Sequence, residues 1–153
     1  MKKTMVVDLI SCLYICLFLY TGLFKLVNNL DFKNTLNHQP LFRHYEQLVA
    51  IVIPILELLI ALALLMPFFK QADALQKWGL RIGTSLMALF SIYVAYMLIS
   101  TPHALPCSCG GIIRQLNWHH HLYFNATVTI LGILAIILHN NELRSENRNL
   151  AFS

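Results

Sequence analysis

Read for its apolar positions, the chain contains four long stretches in which polar side chains are rare. They run about Val6 to Val27, Gln47 to Phe69, Ile82 to Ser100 and His119 to His139. Crossing roughly 30 Å of hydrocarbon takes about 20 residues of α-helix, which is what each stretch supplies. None alternates as a barrel strand does, and a closed barrel needs at least about eight strands. The pattern predicts an all-α membrane four-helix bundle, with residues 1–153 as one domain.

An even number of spans leaves both termini on one side. Lys2, Lys3, Lys70, Lys77, Arg81, Arg144 and Arg148 then share that side, and Lys25, Lys33, Arg43 and Arg114 lie on the other. Lys and Arg collect on the cytoplasmic side of membrane proteins, so the termini are expected in the cytoplasm. The loops Asn28–Glu46 and Thr101–Trp118 are expected to face outward.

Composition narrows the classes further. Of 153 residues, 58% are hydrophobic and 12% charged. A soluble domain carries roughly 25% charged residues, so the lipid bilayer is the expected surroundings and a soluble enzyme is excluded. Disorder fails on the same grounds. The net charge of +4 flanks apolar segments instead of forming a stripe, and no nucleic-acid partner is expected. Lys2 and Lys3 before an apolar run resemble a signal-peptide start, but no small-x-small cleavage site follows. Leu9-Ile10-Ser11-Cys12 is a poor lipoprotein site, because the short apolar run before it contains Asp8.

The four cysteines form two pairs. Cys12 and Cys16 share one face of the first helix and read as small packing hydrophobes, since a regular helix aims such side chains poorly for a disulfide. Cys107 and Cys109 lie in Pro106-Cys107-Ser108-Cys109-Gly110-Gly111, on the expected outer loop. Outside a bacterial inner membrane, paired cysteines can form a disulfide. A Cys-x-Cys ring is very small, and a strained disulfide is labile and oxidising. Three roles stay open for the pair: thiol–disulfide exchange, pinning the loop, and holding a metal with His103, His119, His120 or His121. Thiol–disulfide exchange is the role expected of Cys107 and Cys109, with no residue expected as a metal ligand.

Trp118, His121 and Asn125 fall three and four apart on one face of the fourth helix, which begins beside that loop. An imidazole there can take a thiol's proton, and the thiolate is the reactive form. Asn125, one turn deeper, is a candidate to orient His121 or to hydrogen-bond a carbonyl-bearing ligand. Trp118 reads as an interfacial anchor.

Glu57 lies roughly at mid-membrane, where an unpaired charge is expensive and turns to the bundle interior. Lys25 is its natural partner, with a stem long enough to reach inward. Pro54 removes one helical hydrogen bond near Glu57. Glu57 is read as a structural partner of Lys25, with a protonated carboxyl hydrogen-bonded to a neighbour and a proton-relay or ligand site as the alternatives. Gly22 and Gly83 are expected to let helices approach closely.

These residues suggest a family. Tyr20-Thr21-Gly22-Leu23-Phe24-Lys25-Leu26, Asp31-Phe32 and Gln39-Pro40-Leu41 resemble the opening of DoxX-like proteins, and Pro54-Ile55-Leu56-Glu57-Leu58 resembles their second helix. Pro106–Gly111 and Trp118-x-x-His121-Leu122-x-Phe124-Asn125 resemble the redox-associated MauE branch. The resemblance covers about residues 10 to 140. It implies a multi-pass protein of the bacterial inner membrane that helps electron transfer to, or disulfide maturation of, a periplasmic or membrane partner. Catalytic roles then fall to Cys107, Cys109 and His121, and cofactor binding to Glu57 and Asn125. A quinone is the one cofactor it raises. Quinone-linked disulfide-generating membrane enzymes have a similar architecture, but they use Cys-x-x-Cys where this chain has Cys-x-Cys. A non-catalytic assembly factor and metal handling are the alternative functions.

Overall fold

The computed structural model describes residues 2–37, 44–69, 73–100 and 118–151. These form α1 (Lys2–Val27), α2 (Asn29–Asn37), α3 (Glu46–Leu65), α4 (Asp73–Ser100) and α5 (Trp118–Ala151). A 3-10 turn, Met66–Phe68, extends α3. No strand occurs among the described residues. Four segments are long and apolar enough to cross a membrane: Met5–Val27, Glu46–Phe68, Ala74–Ser100 and His119–Asn141. The fold is the expected all-α bundle.

Around the bundle the order is α1, α3, α4, α5, with α5 closing back on α1. Close approaches fix the register. Gly22 of α1 meets Leu58 of α3, Gly83 of α4 meets Ile60, and Gly79 meets Leu64, so α3 runs against both α1 and α4. A Cβ at Gly22 would sit 3.1 Å from Leu58 Cγ, and one at Gly83 would sit 3.0 Å from Phe18 Cε2. One end of the bundle holds the starts of α1 and α4, and is called the amino-terminal end. The other is called the Lys25 end.

Tyr14, Phe18, Leu64 and Leu80 are completely enclosed, while Leu9, Leu59, Ile92 and Ile130 point outward. Apolar residues on both faces are what a lipid-bathed helix requires. Cys12 and Cys16 are exposed free thiols on this outward surface. They do not pack the interior as expected, because the inward face of α1 is taken by Val7, Ile10, Ser11, Tyr14 and Phe18.

Three boundaries differ from the sequence reading. Helix α4 begins at Asp73, well before Ile82, because its first turns are two-sided. Gln76, Gly79 and Leu80 turn inward while Trp78 is exposed, with the Arg81 guanidinium 5.6 Å above its ring. Helix α5 continues past His139 to Ala151, since helical hydrogen bonding does not stop where hydropathy does. The segment after Val27, expected as loop, contains α2, which buries Phe32 and Leu36 against Ala50 and Val49.

Helix α2 also repairs a defect. Pro54 lies within α3 and has no N–H, so the Ala50 carbonyl one turn earlier loses its helical donor. The Asn29 side-chain amide donates to that carbonyl at 3.0 Å. Asn29→Leu should therefore cost about 1 kcal/mol, and substantially less in a Pro54→Ala background, where residue 54 supplies the donor itself. Thermal midpoints of the four proteins in mild detergent test this. Equal losses in both backgrounds would refute the link.

Candidate functional site

Six of the buried polar residues gather toward the Lys25 end or the middle of the bundle. Lys25 and Thr21 continue the inward face of α1, and Glu57 lies on the inward face of α3 between Pro54 and Ile60. Lys25 is 4% exposed and Glu57 1%, and the Lys25 ammonium donates to Glu57 Oε1. The ammonium also lies 5.1 Å from the Phe90 ring centre and 5.6 Å from that of Phe32. Two aromatic faces thus add cation–π attraction to the ion pair, stronger for being desolvated. Helices α1, α2, α3 and α4 all meet at this one cation.

His121 and Asn125 are both inward, at 8% and 4% exposure. They belong to a stripe on α5 that continues through Val128, Gly132, Ala135 and His139, spaced three and four apart. Thr129 caps the Asn125 carbonyl with its hydroxyl at 2.8 Å. His119 and His120 are exposed. Trp118 is the first residue of α5. Of the expected site residues, the structure joins Lys25 to Glu57 and turns His121 and Asn125 into the bundle. Cys107, Cys109 and His103 lie outside the described residues.

Deeper polar residues had no sequence assignment. The Tyr14 hydroxyl donates to the Val128 carbonyl at 2.9 Å and lies 3.4 Å from Thr84 Oγ1. This contact pins α1, α4 and α5 at one point. Toward the amino-terminal end, the Gln76 amide donates to Asp8 Oδ1 at 3.3 Å and to Ser11 Oγ at 3.4 Å. His139 is buried as well. Single polar residues inside apolar runs give little warning of these contacts, and spacing on the inward face is the one signal that could have flagged them. Among the described residues, no group of three or more His, Cys, Asp or Glu is placed to hold a metal ion.

Set against known families, residues 3–138 match the model described as methylamine utilisation protein MauE. The chain belongs to the MauE family. The match takes in the first three spans, the Cys107–Cys109 stretch and the fourth span as far as Leu138, one residue short of His139. No curated protein and no solved structure matches the chain. Family membership and four apolar spans together make it a multi-pass membrane protein. Within the MauE-family match lie Lys25, Glu57, His121 and Asn125, the residues that fill the Lys25 end of the bundle.

Proposed function

We propose that this MauE-family protein is an inner-membrane thiol–disulfide redox protein that serves a periplasmic or membrane partner. The observation that carries the reading is the inward His121 in the first turns of α5, the helix that follows directly on the segment bearing Cys107 and Cys109. Both ends of that segment, Ser100 and Trp118, belong to the Lys25 end of the bundle. The described helix ends that flank this segment and the inward imidazole therefore belong to one end of the bundle, which is the outer end if the termini are cytoplasmic.

In the oxidising direction, a partner thiolate attacks the Cys107–Cys109 disulfide and forms a mixed disulfide, releasing one cysteine as thiolate. The partner's second thiolate then attacks the mixed bond. The partner leaves as a disulfide and the Cys pair as a dithiol, two electrons richer. His121 holds or returns the proton of the attacking or leaving thiol. Turnover needs a two-electron acceptor, for which a quinone is the cofactor class proposed. The Asn125 amide, turned into the bundle, is the group suited to donate to a quinone carbonyl. The Glu57–Lys25 pair holds α1 against α3.

The decisive measurement counts outer thiols in intact cells with a membrane-impermeant maleimide, using a Cys12→Ala/Cys16→Ala protein. Two thiols labelled only after mild reduction are expected, and Cys107→Ser or Cys109→Ser should abolish function and leave a partner trapped as a mixed disulfide. Full activity with both cysteines replaced would refute exchange and favour a non-catalytic assembly factor.

A further inference from the structure

Helix α4 is longer than a bilayer requires. Its 28 residues rise about 42 Å, whereas the hydrocarbon core is about 30 Å thick. The surplus belongs to its first turns, which carry Asp73, Gln76 and Lys77, because Tyr93–Ser100 at the other end is wholly uncharged. From Arg81 to Ser100 the rise is about 29 Å, so Arg81 stands where hydrocarbon gives way to headgroups. Trp78, one turn earlier, is 59% exposed, and indoles collect at that boundary.

Lys77, Trp78, Arg81 and Ser85 occupy one outward arc of about 100° on α4, opposite the buried Gln76, Gly79 and Gly83. The Arg81 guanidinium lies 5.6 Å above the Trp78 ring, which steadies the cation. A ring does not accept hydrogen bonds as an anionic oxygen does, so the guanidinium keeps donors for a ligand. Among the described residues no carboxylate pairs with Lys77 or Arg81, and the ion pair that does occur, Lys25–Glu57, is at the far end. Asp8, which reaches α4, is held by Gln76 on the buried side. Ser85 stands one turn deeper than Arg81. Thr21, Ser91, Thr127 and Thr129 each return their hydroxyl to the carbonyl four residues earlier. Among the described residues the exposed Ser85 hydroxyl makes no such bond, although it faces lipid.

We propose that Lys77, Trp78, Arg81 and Ser85 form a binding site for the headgroup of one acidic phospholipid, in the leaflet at the amino-terminal end. The phosphodiester oxygens accept from the Arg81 guanidinium, whose planar fork suits paired hydrogen bonds, and the Lys77 ammonium adds a second positive charge. Trp78 holds the guanidinium in place. The Ser85 hydroxyl donates to an acyl ester carbonyl just below the phosphate, and the acyl chains lie along the exposed Ile82 and Leu89. A zwitterionic lipid brings a cation of its own to a place where two already stand, which sets the preference for an acidic headgroup. The site lies on the lipid side of α4 and does not rest on the cysteine reading.

The test follows Trp78 fluorescence in the full chain carrying Trp118→Phe, which leaves Trp78 as the single indole. The protein, in mild detergent, is given phosphatidylglycerol or phosphatidylcholine whose acyl chains carry bromine, a contact quencher of indoles. Phosphatidylglycerol should half-quench Trp78 at about a tenfold lower mole fraction than phosphatidylcholine at about 0.1 M salt. Each protein is its own reference, because the ratio between the two lipids is what is read. Lys77→Gln/Arg81→Gln should bring the two curves together while eluting as the parent does. Lys2→Gln/Lys3→Gln removes equal charge from the same end and should keep the full preference. Equal quenching by both lipids in the parent would overturn the proposal. A preference that survives Lys77→Gln/Arg81→Gln, or is lost as fully in Lys2→Gln/Lys3→Gln, would do the same. Inorganic phosphate at constant ionic strength should not relieve the quenching, and relief would make free phosphate the ligand in place of a lipid.

Discussion

Replacing Lys25 by Met should destabilise the bundle by about 3–4 kcal/mol at pH 7, and adding Glu57→Leu should restore most of the loss. The single change leaves a carboxyl that is 1% exposed without its ammonium. Removing one partner of a buried ion pair costs about 3–5 kcal/mol, because the charge left behind has nothing to compensate it. The double variant removes both charges and leaves apolar side chains of similar bulk, which buried ion pairs tolerate well. Thermal midpoints in mild detergent measure both variants. A double variant as unstable as the single would show that Glu57 is not held by Lys25.

Gly132→Ala is expected to cost about 2–4 kcal/mol, far more than a Gly-to-Ala change costs on an open helix face. The added methyl overlaps the Tyr14 hydroxyl and Thr84 Oγ1, and stands 3.0 Å from Tyr14 Cζ. Overpacking of this kind costs about 1–3 kcal/mol, and displacing the Tyr14 hydroxyl loses its bond to Val128 as well. Helix propensity works the other way, favouring Ala by about 1 kcal/mol, so the sign itself tests the packing. In a Tyr14→Phe/Thr84→Ala background both oxygens are gone, and the same methyl should cost less than half as much. By contrast a methyl at Gly79 meets the Leu64 side chain, Cδ2 at 2.9 Å and Cγ at 3.0 Å, and no hydroxyl. Equal penalties at 79 and 132 would mean the hydroxyl contact is not what limits residue 132.

The membrane spans were legible because hydropathy reports burial in lipid, and lipid is most of what these helices touch. The Lys25–Glu57 contact could be read for a related reason: a carboxylate deep in one span and an ammonium near the end of another have few other partners. Hydropathy failed where a helix has two characters. It missed the first turns of α4, whose Gln76 and Gly79 face inward beside an exposed Trp78 and a charged Arg81. It missed α2, which is short and polar and exists because Phe32, Leu36 and Asn29 dock on α3. Tyr14 and Thr84 were invisible for a third reason. Each acts through a residue far away in the chain, and a lone hydroxyl in an apolar run does not say which neighbour it will meet. That His121 and Asn125 share a face followed from helical spacing, whereas its turning inward did not. Cys12 and Cys16 misled, because sharing a face does not say which face.

The bond from Tyr14 to Val128 joins positions 114 residues apart, the first span to the last. A ribosome delivers these spans one at a time, amino terminus first. Lys25 can find Glu57 as soon as the second span is in place, so an early pair of helices can form while the chain is still growing. The Tyr14 hydroxyl has no such early partner. It must wait in the bilayer until α4 brings Thr84 and α5 brings the Val128 carbonyl. Nascent chains arrested before Val128 should therefore keep α1 and α3 together yet leave Tyr14 open to quality-control proteases, and full closure becomes an event of the last span's arrival.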